Sequence, residues 1–299
     1  MSDRAGHDHG AAVSAGNERR IRLVFLGTAG YAVVQAVGGW LSGSLALIAD
    51  AGHMVSDAAA LLLALIAYRV ARRAADTVRS YGFHRVRVLA ALANGASLLL
   101  LVAWIVVEAV SRINQPVEVM AAPMLAVALV GLGVNVAGAL ILRGGEAGDA
   151  NLRGAFLHVL GDLLGSVGAI AAAVGIMLTG WMLLDPLLSV LVAVLVVRSA
   201  WGLVMESLAV LLQAMPRSLD GAAVLADLRT LPGIAEAGHL HAWVLSDQRI
   251  VATVHVTPAP GIDPLALPGL VATRLHDRHE IDHTTVQVDP PNRLQEPRH

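Results

Sequence analysis

The 299-residue chain contains no cysteine and no lysine. Without cysteine there is neither a disulfide framework nor a thiolate metal site. Without lysine all side-chain basicity is arginine or histidine, which suits a GC-rich bacterial coding style. Charge of either sign is scarce, at 15% of residues, against about 25% in soluble domains. The formal net charge of −2 gives no support to nucleic-acid binding. Phe and Tyr number three each, yet there are 12 His, a balance that points to metal or proton chemistry. Hydrophobic residues make up 56% of the chain. This composition predicts a membrane protein with one membrane domain and one small soluble domain.

Six apolar segments approach or exceed the roughly 20 residues that span a bilayer. They fall near 21–41, 45–71, 85–112, 118–142, 152–178 and 184–212. Arginine collects on alternate connections: Arg19, Arg20 and Arg22; then Arg69, Arg72, Arg73, Arg79, Arg85 and Arg87; then Arg143 and Arg153. The other connections carry almost none beyond Arg112. The positive-inside rule then puts both termini in the cytoplasm. The expected domains are a cytoplasmic tail at 1–20, a six-helix membrane bundle at 21–214, a cytoplasmic α+β domain at 215–291 and a C-terminal tail at 292–299.

Two apolar runs carry the same polar pattern. His53-Met54-Val55-Ser56-Asp57 and His158-Val159-Leu160-Gly161-Asp162 are both His-x-x-x-Asp. Residues four apart share a helix face, so each run offers an imidazole and a carboxylate to one point. Ionisable residues inside a membrane helix cost about 2.5–3.5 kcal/mol each on insertion scales and mark function by default. Two facing helices would supply two N and two O ligands, a fitting set for tetrahedral Zn²⁺. Small residues accompany both pairs: Ala46, Ala60 and Ala64 share one stripe with Asp50, and Gly154, Gly161 and Gly165 form the other. Such stripes let membrane helices approach closely. Asp50, one turn from His53, would aid release on the outer side. Asn94 and Asn135 read as interhelical hydrogen bonds, and Asp185 as an N-cap of the sixth helix.

From Met215 the hydrophobic density falls. Helices are predicted at 216–231 and 264–280, and strands at 238–246, 249–257 and 283–289. The first of these helices would be capped by Ser218 or Asp220. This α-β-β-α-β order predicts a small α+β, ferredoxin-like module. A second metal site is expected there from His241, His255, His283 and Asp289. A minor cytoplasmic loop site would use Asp76 and His84. His7 and His9 read as part of a solvated tail.

The motifs carry a family resemblance. Gly43-Ser44-Leu45-Ala46-Leu47 runs on to Asp50, His53 and Asp57; Tyr81-Gly82-Phe83-His84-Arg85 runs on to Asn94; Arg153-Gly154 leads to His158 and Asp162; Asp185-Pro186 and Leu240-His241-Ala242-Trp243 follow. Together they resemble the cation diffusion facilitators, six-helix metal exporters. The resemblance implies a homodimer in the inner (cytoplasmic) membrane, export of divalent metal ions driven by inward proton flow, and Zn²⁺ as the transported substrate. It gives the transport-site role to His53, Asp57, His158 and Asp162, and the sites on two histidines resemble those of zinc and cadmium exporters. The chain departs from the family in three places: no His between Arg143 and Leu152, Arg87 where Glu is usual, and Gly238-His239 where His-Asp begins the tail motif. The enzyme class is disfavoured: no His-Glu-x-x-His signature is read in the chain, and a zinc hydrolase needs an open coordination position where four protein ligands leave none.

Overall fold

The computed structural model describes residues 15–71, 73, 76–143, 150–246 and 249–290. The N-terminal His7 and His9, the His-free stretch between Arg143 and Ala150, and the tail at 292–299 lie outside these residues. Six long helices follow one another: α1 (Ala15–Ser42), α2 (Leu45–Ala71), α3 (Val86–Asn114), α4 (Ala121–Arg143), α5 (Ala150–Thr179) and α6 (Leu184–Leu211). All six are long and apolar enough to cross a membrane. The remainder is α7 (Gly221–Leu228), β1 (Ile234–Ser246), β2 (Arg249–Pro258), a 3-10 turn at Pro264–Ala266, α8 (Leu267–His279) and β3 (His283–Val288). The fold class expected from the sequence is the one observed. The chain divides into two compact units, Met1–Leu63 with Ala93–Gly202, and Ala64–Leu92 with Leu203–His299.

In the first unit α4 packs along α5 and α1. Gly131 makes the closest approach possible: a Cβ there would run into the Tyr31 phenol, whose Oη donates to Val127 O at 3.1 Å. The first turn of α2 feeds two apolar clusters. Leu45 and Ala49 join Leu98, Val102 and Ile105 of α3 and Ala193 and Val196 of α6. Ala46 and Leu47 join Met124 and Ala128 of α4 and Ala169, Ala172 and Ala173 of α5. The two asparagines make the interhelical bonds expected of them. Ser56 Oγ donates to Asn94 Oδ1 at 3.1 Å, tying α2 to α3, and Asn135 Nδ2 donates to Ser166 Oγ at 3.2 Å, tying α4 to α5.

One expectation is corrected. Asp185 does not cap α6, which already begins at Leu184. Its carboxylate turns away from its own helix to the start of α2, accepting from Ser44 Oγ at 2.6 Å, Leu45 N at 2.7 Å and Ala46 N at 3.2 Å. Within α6, Pro186 has no N–H to offer and Leu187 N is already bonded to Leu183 O, whereas the buried α2 terminus presents several unpaired amides. The connection that brings Ser44 there turns at Gly43, with φ +72°.

In the second unit the sheet order is β1-β2-β3, with β1/β2 antiparallel and β2/β3 parallel through α8. Side chains alternate across a strand. Ile250, Ala252, Val254 and Val256 of β2 therefore face Val224 and Leu228 of α7 and Val271 and Leu275 of α8 in one buried core. Of the two expected caps, Asp220 is the one used, accepting from Ala222 N and Ala223 N at 2.9 and 3.3 Å. Glu280, at φ +55°, ends α8.

Candidate metal centre

The two His-x-x-x-Asp turns meet. On α2, His53 Nε2 lies 3.6 Å from Asp57 Oδ2. On α5, His158 Nε2 lies 3.7 Å from Asp162 Oδ2. Across the helices, His158 Nε2 lies 3.4 Å from Asp57 Oδ2, and the imidazoles of His53 and His158 meet edge-on with centroids 6.1 Å apart. His53, His158 and Asp162 each offer a ligand atom within 4.8 Å of the others, the one such group among the described residues. Zinc–ligand bonds of 2.0–2.2 Å at tetrahedral angles set ligand atoms about 3.3–3.6 Å apart. Three of the six separations among the four side chains, at 3.4–3.7 Å, lie near that edge length, while Asp57 stands outside the compact group of three. Hard cations such as Mg²⁺ and Ca²⁺ take oxygen shells, so the paired imidazoles favour a borderline-soft transition-metal ion.

Burial grades across the group. Asp162 is 5% exposed and its Oδ2 has no hydrogen-bond partner, whereas His158 is 46% exposed. An unsatisfied buried carboxylate oxygen costs free energy that a bound cation would recover. Deeper along α2, Asp50 is buried and accepts from Gln35 Nε2 of α1 at 2.6 Å. Gly165 of α5 faces it: a Cβ there would stand 3.3 Å from Asp50 Oδ1.

Of the four expected tail-domain ligands the structure brings together two. His255 Nδ1 lies 2.7 Å from Asp289 Oδ2, and Gln287 Nε2 donates to Asp289 Oδ1 at 2.7 Å. His283 pairs with Val251 while His255 pairs with Gln287, four ladder positions along β3, which is about 13 Å at the usual strand rise. His241 is exposed and stands opposite Thr253. The ring that reaches His255 is that of His239, with centroids 5.2 Å apart. A register shift between Gly238 and His241 and the left-handed φ of +48° at His239 aim it there. Strict alternation could not reveal it, because a bulge breaks the period of two.

The loop pair is also not formed. Asp76 accepts from Val78 N at 2.9 Å and Arg79 N at 2.6 Å and pairs with Arg79 Nη1 at 2.9 Å. Those backbone donors hold its carboxyl below the usual range. Among the described residues no contact joins it to His84.

One motif escaped the sequence reading. His279-Glu280-Ile281-Asp282-His283 spells His-Glu-x-x-His, the zinc-hydrolase signature, which needs both histidines on one helix face. Here α8 ends at His279, Glu280 is left-handed and His283 opens β3. His279 Nε2 is occupied with Asp227 Oδ2 at 3.1 Å. The letters are present without the geometry.

Comparison with known proteins identifies the family. The description "Cation efflux transmembrane domain" matches residues 21–212, and "Cation efflux protein, cytoplasmic domain" matches residues 216–291. The chain belongs to the cation efflux family. It is a multi-pass membrane protein of a family of transporters, not enzymes. It is 45% identical to the zinc transporter ZitB of Yersinia pestis over 91% of this chain and 88% of that protein. It is 35% identical to a cadmium, cobalt and zinc/H(+)-K(+) antiporter of Bacillus velezensis over 95% of this chain and 92% of that protein. It is 37% identical to the cation efflux system protein CzcD of an Alcaligenes strain over 95% and 90%.

Proposed function

We propose that this cation efflux protein exports Zn²⁺ from the cytoplasm in exchange for protons, through His53, Asp57, His158 and Asp162. The observation that carries the reading is the meeting of two imidazoles and a buried, unsatisfied carboxylate within 4.8 Å of one another, with Asp57 reaching both rings at 3.4–3.6 Å. The names of the relatives, which include zinc transporters and an antiporter, support it.

The chemistry couples the two fluxes. Metal binds only deprotonated ligands, so loading releases protons and reprotonation releases metal. Imidazole is the side chain whose ordinary titration falls in the physiological range. A site loaded near neutral pH therefore empties where protons are more abundant. Asp57 and His158 lie on the more exposed side of the group and Asp162 and Asp50 on the sealed side, which suits loading from the C-terminal end of α2. The arginine distribution makes that end cytoplasmic. Asp50, held by Gln35, is the next carboxylate on the way out and serves release.

The working assembly is a homodimer in the inner membrane, multi-pass, with both termini cytoplasmic. Its tail domain holds a second metal through His255 and His239, with Asp289 orienting the His255 ring, the usual carboxylate–histidine arrangement of a metal ligand. Everted vesicles with an imposed pH gradient test the transport reading. Zinc uptake should follow the gradient and collapse with a protonophore; uptake indifferent to the gradient would refute antiport.

A further inference from the structure

The N-terminal end of α2 is capped in part by a residue of another helix. A helix begins with four backbone N–H groups that lack intrahelical partners. Here three of them are met by side chains. Leu45 N and Ala46 N donate to Asp185 and Leu47 N donates to Ser44 Oγ at 3.2 Å, before Ile48 N makes the first intrahelical bond, to Ser44 O at 3.3 Å. Ser44 and Asp185 are both 0% exposed. Ser44 Oγ meets one of these amides, as an N-cap does. Asp185 meets two more from α6, so its cap is also a bond between two helices. A third helix joins: Arg112 of α3 donates Nη1 to Gly43 O at 2.5 Å and stands 3.7 Å from Asp185 Oδ2. Further along α2, Val55, Leu61, Leu62 and Leu65 are exposed, while Met54 and Ala67 are buried. The metal ligands His53 and Asp57 lie on the same helix beyond the tied end.

We propose that Asp185 is a positioning residue for transport. It fixes the start of α2 to α6, so that the ligands of α2 move by a swing about Ser44–Ala46 and not by sliding of the whole helix. The idea rests on the transport reading above. The carboxylate touches no ligand, so its loss should leave metal affinity intact and slow the movement.

The absence of cysteine gives a direct test in the full chain. Asp185→Asn should lower maximal zinc flux at least tenfold while the zinc KM stays within twofold. Ser44→Cys with Asp185→Cys should do the same when reduced. Bridging that pair with a short bifunctional methanethiosulfonate should restore flux, because a swinging helix tolerates a locked end. Wild-type flux from Asp185→Asn, a KM that rises in step with the loss, or flux abolished by the bridge and regained on reduction would each overturn the proposal. If wild type moved no zinc, the transport reading would fail first. The tie is then read by amide exchange at 45–47 in Asp185→Ala, where protection should fall at least tenfold; unchanged protection overturns it.

Discussion

Truncating Asp162 tests whether the α2–α5 centre is one cooperative metal site. The carboxylate is the most buried of the four ligands and offers Oδ2 with no other partner. His158 Nε2 stands 3.7 Å from its Oδ2, near a tetrahedral zinc edge, and His53 completes a group within 4.8 Å that a bound ion would draw together. Four-ligand zinc sites in small domains are worth about 10–16 kcal/mol in apparent binding free energy. An even share per ligand is about 2.5–4 kcal/mol, and at about 1.4 kcal/mol per decade its loss weakens binding about 100- to 1,000-fold. Asp162→Ala should therefore raise the zinc dissociation constant two to three decades. The assay is competition against a chromogenic chelator on purified protein, in a His255→Ala background that removes the tail-domain contribution. Asp57→Ala should cost as much if four side chains bind the ion. A much smaller loss at Asp57 would reduce the site to His53, His158 and Asp162, the compact group, with solvent as the fourth ligand. Affinity within threefold of wild type after Asp162→Ala would refute the site outright.

Two further outcomes follow from packing and charge. Gly131→Ala drives a methyl into the Tyr31 ring and hydroxyl and should destabilise the bundle by about 1–3 kcal/mol, read as a lower melting temperature in detergent. Adding Tyr31→Leu should recover most of that loss, and an unchanged melt in the single variant would show that α1 and α4 do not touch there. In the tail, Asp227 pairs with Arg274 Nε and Arg278 Nη1 at 2.9 Å and with His279 Nε2 at 3.1 Å. Burial pushes its carboxyl up, but the hydrogen bonds from His279 and Arg274 outweigh it and hold it below the ordinary value. A depressed carboxylate stabilises the fold above its unfolded value and loses that contribution as pH falls through the folded one. Asp227→Asn should thus speed amide exchange in α7 and α8 at pH 7, with the difference from wild type fading below about pH 4; a difference that persists at lower pH would mean the charge is not the cause.

The sequence by itself determined the features that rest on local geometry. Six apolar lengths, the arginine alternation and the two His-x-x-x-Asp turns follow from rise per residue and 3.6-residue periodicity, which need no knowledge of neighbours. The α-β-β-α-β order of the tail was legible for the same reason. Tertiary structure decided everything that depends on which element lies beside which. Asp185 reads as a cap for its own helix, yet it serves α2 from 140 residues away, because the buried amides of Leu45 and Ala46 have no nearer acceptor. Asp289 holds His255, and His239 replaces His241 and His283 beside it, because strand register and a bulge set those distances. Asp76 spends its oxygens on its own turn. Even the His-Glu-x-x-His letters lose their meaning where a left-handed Glu280 ends the helix. Spacing along a chain states which side chains can share a face; only packing states what that face meets.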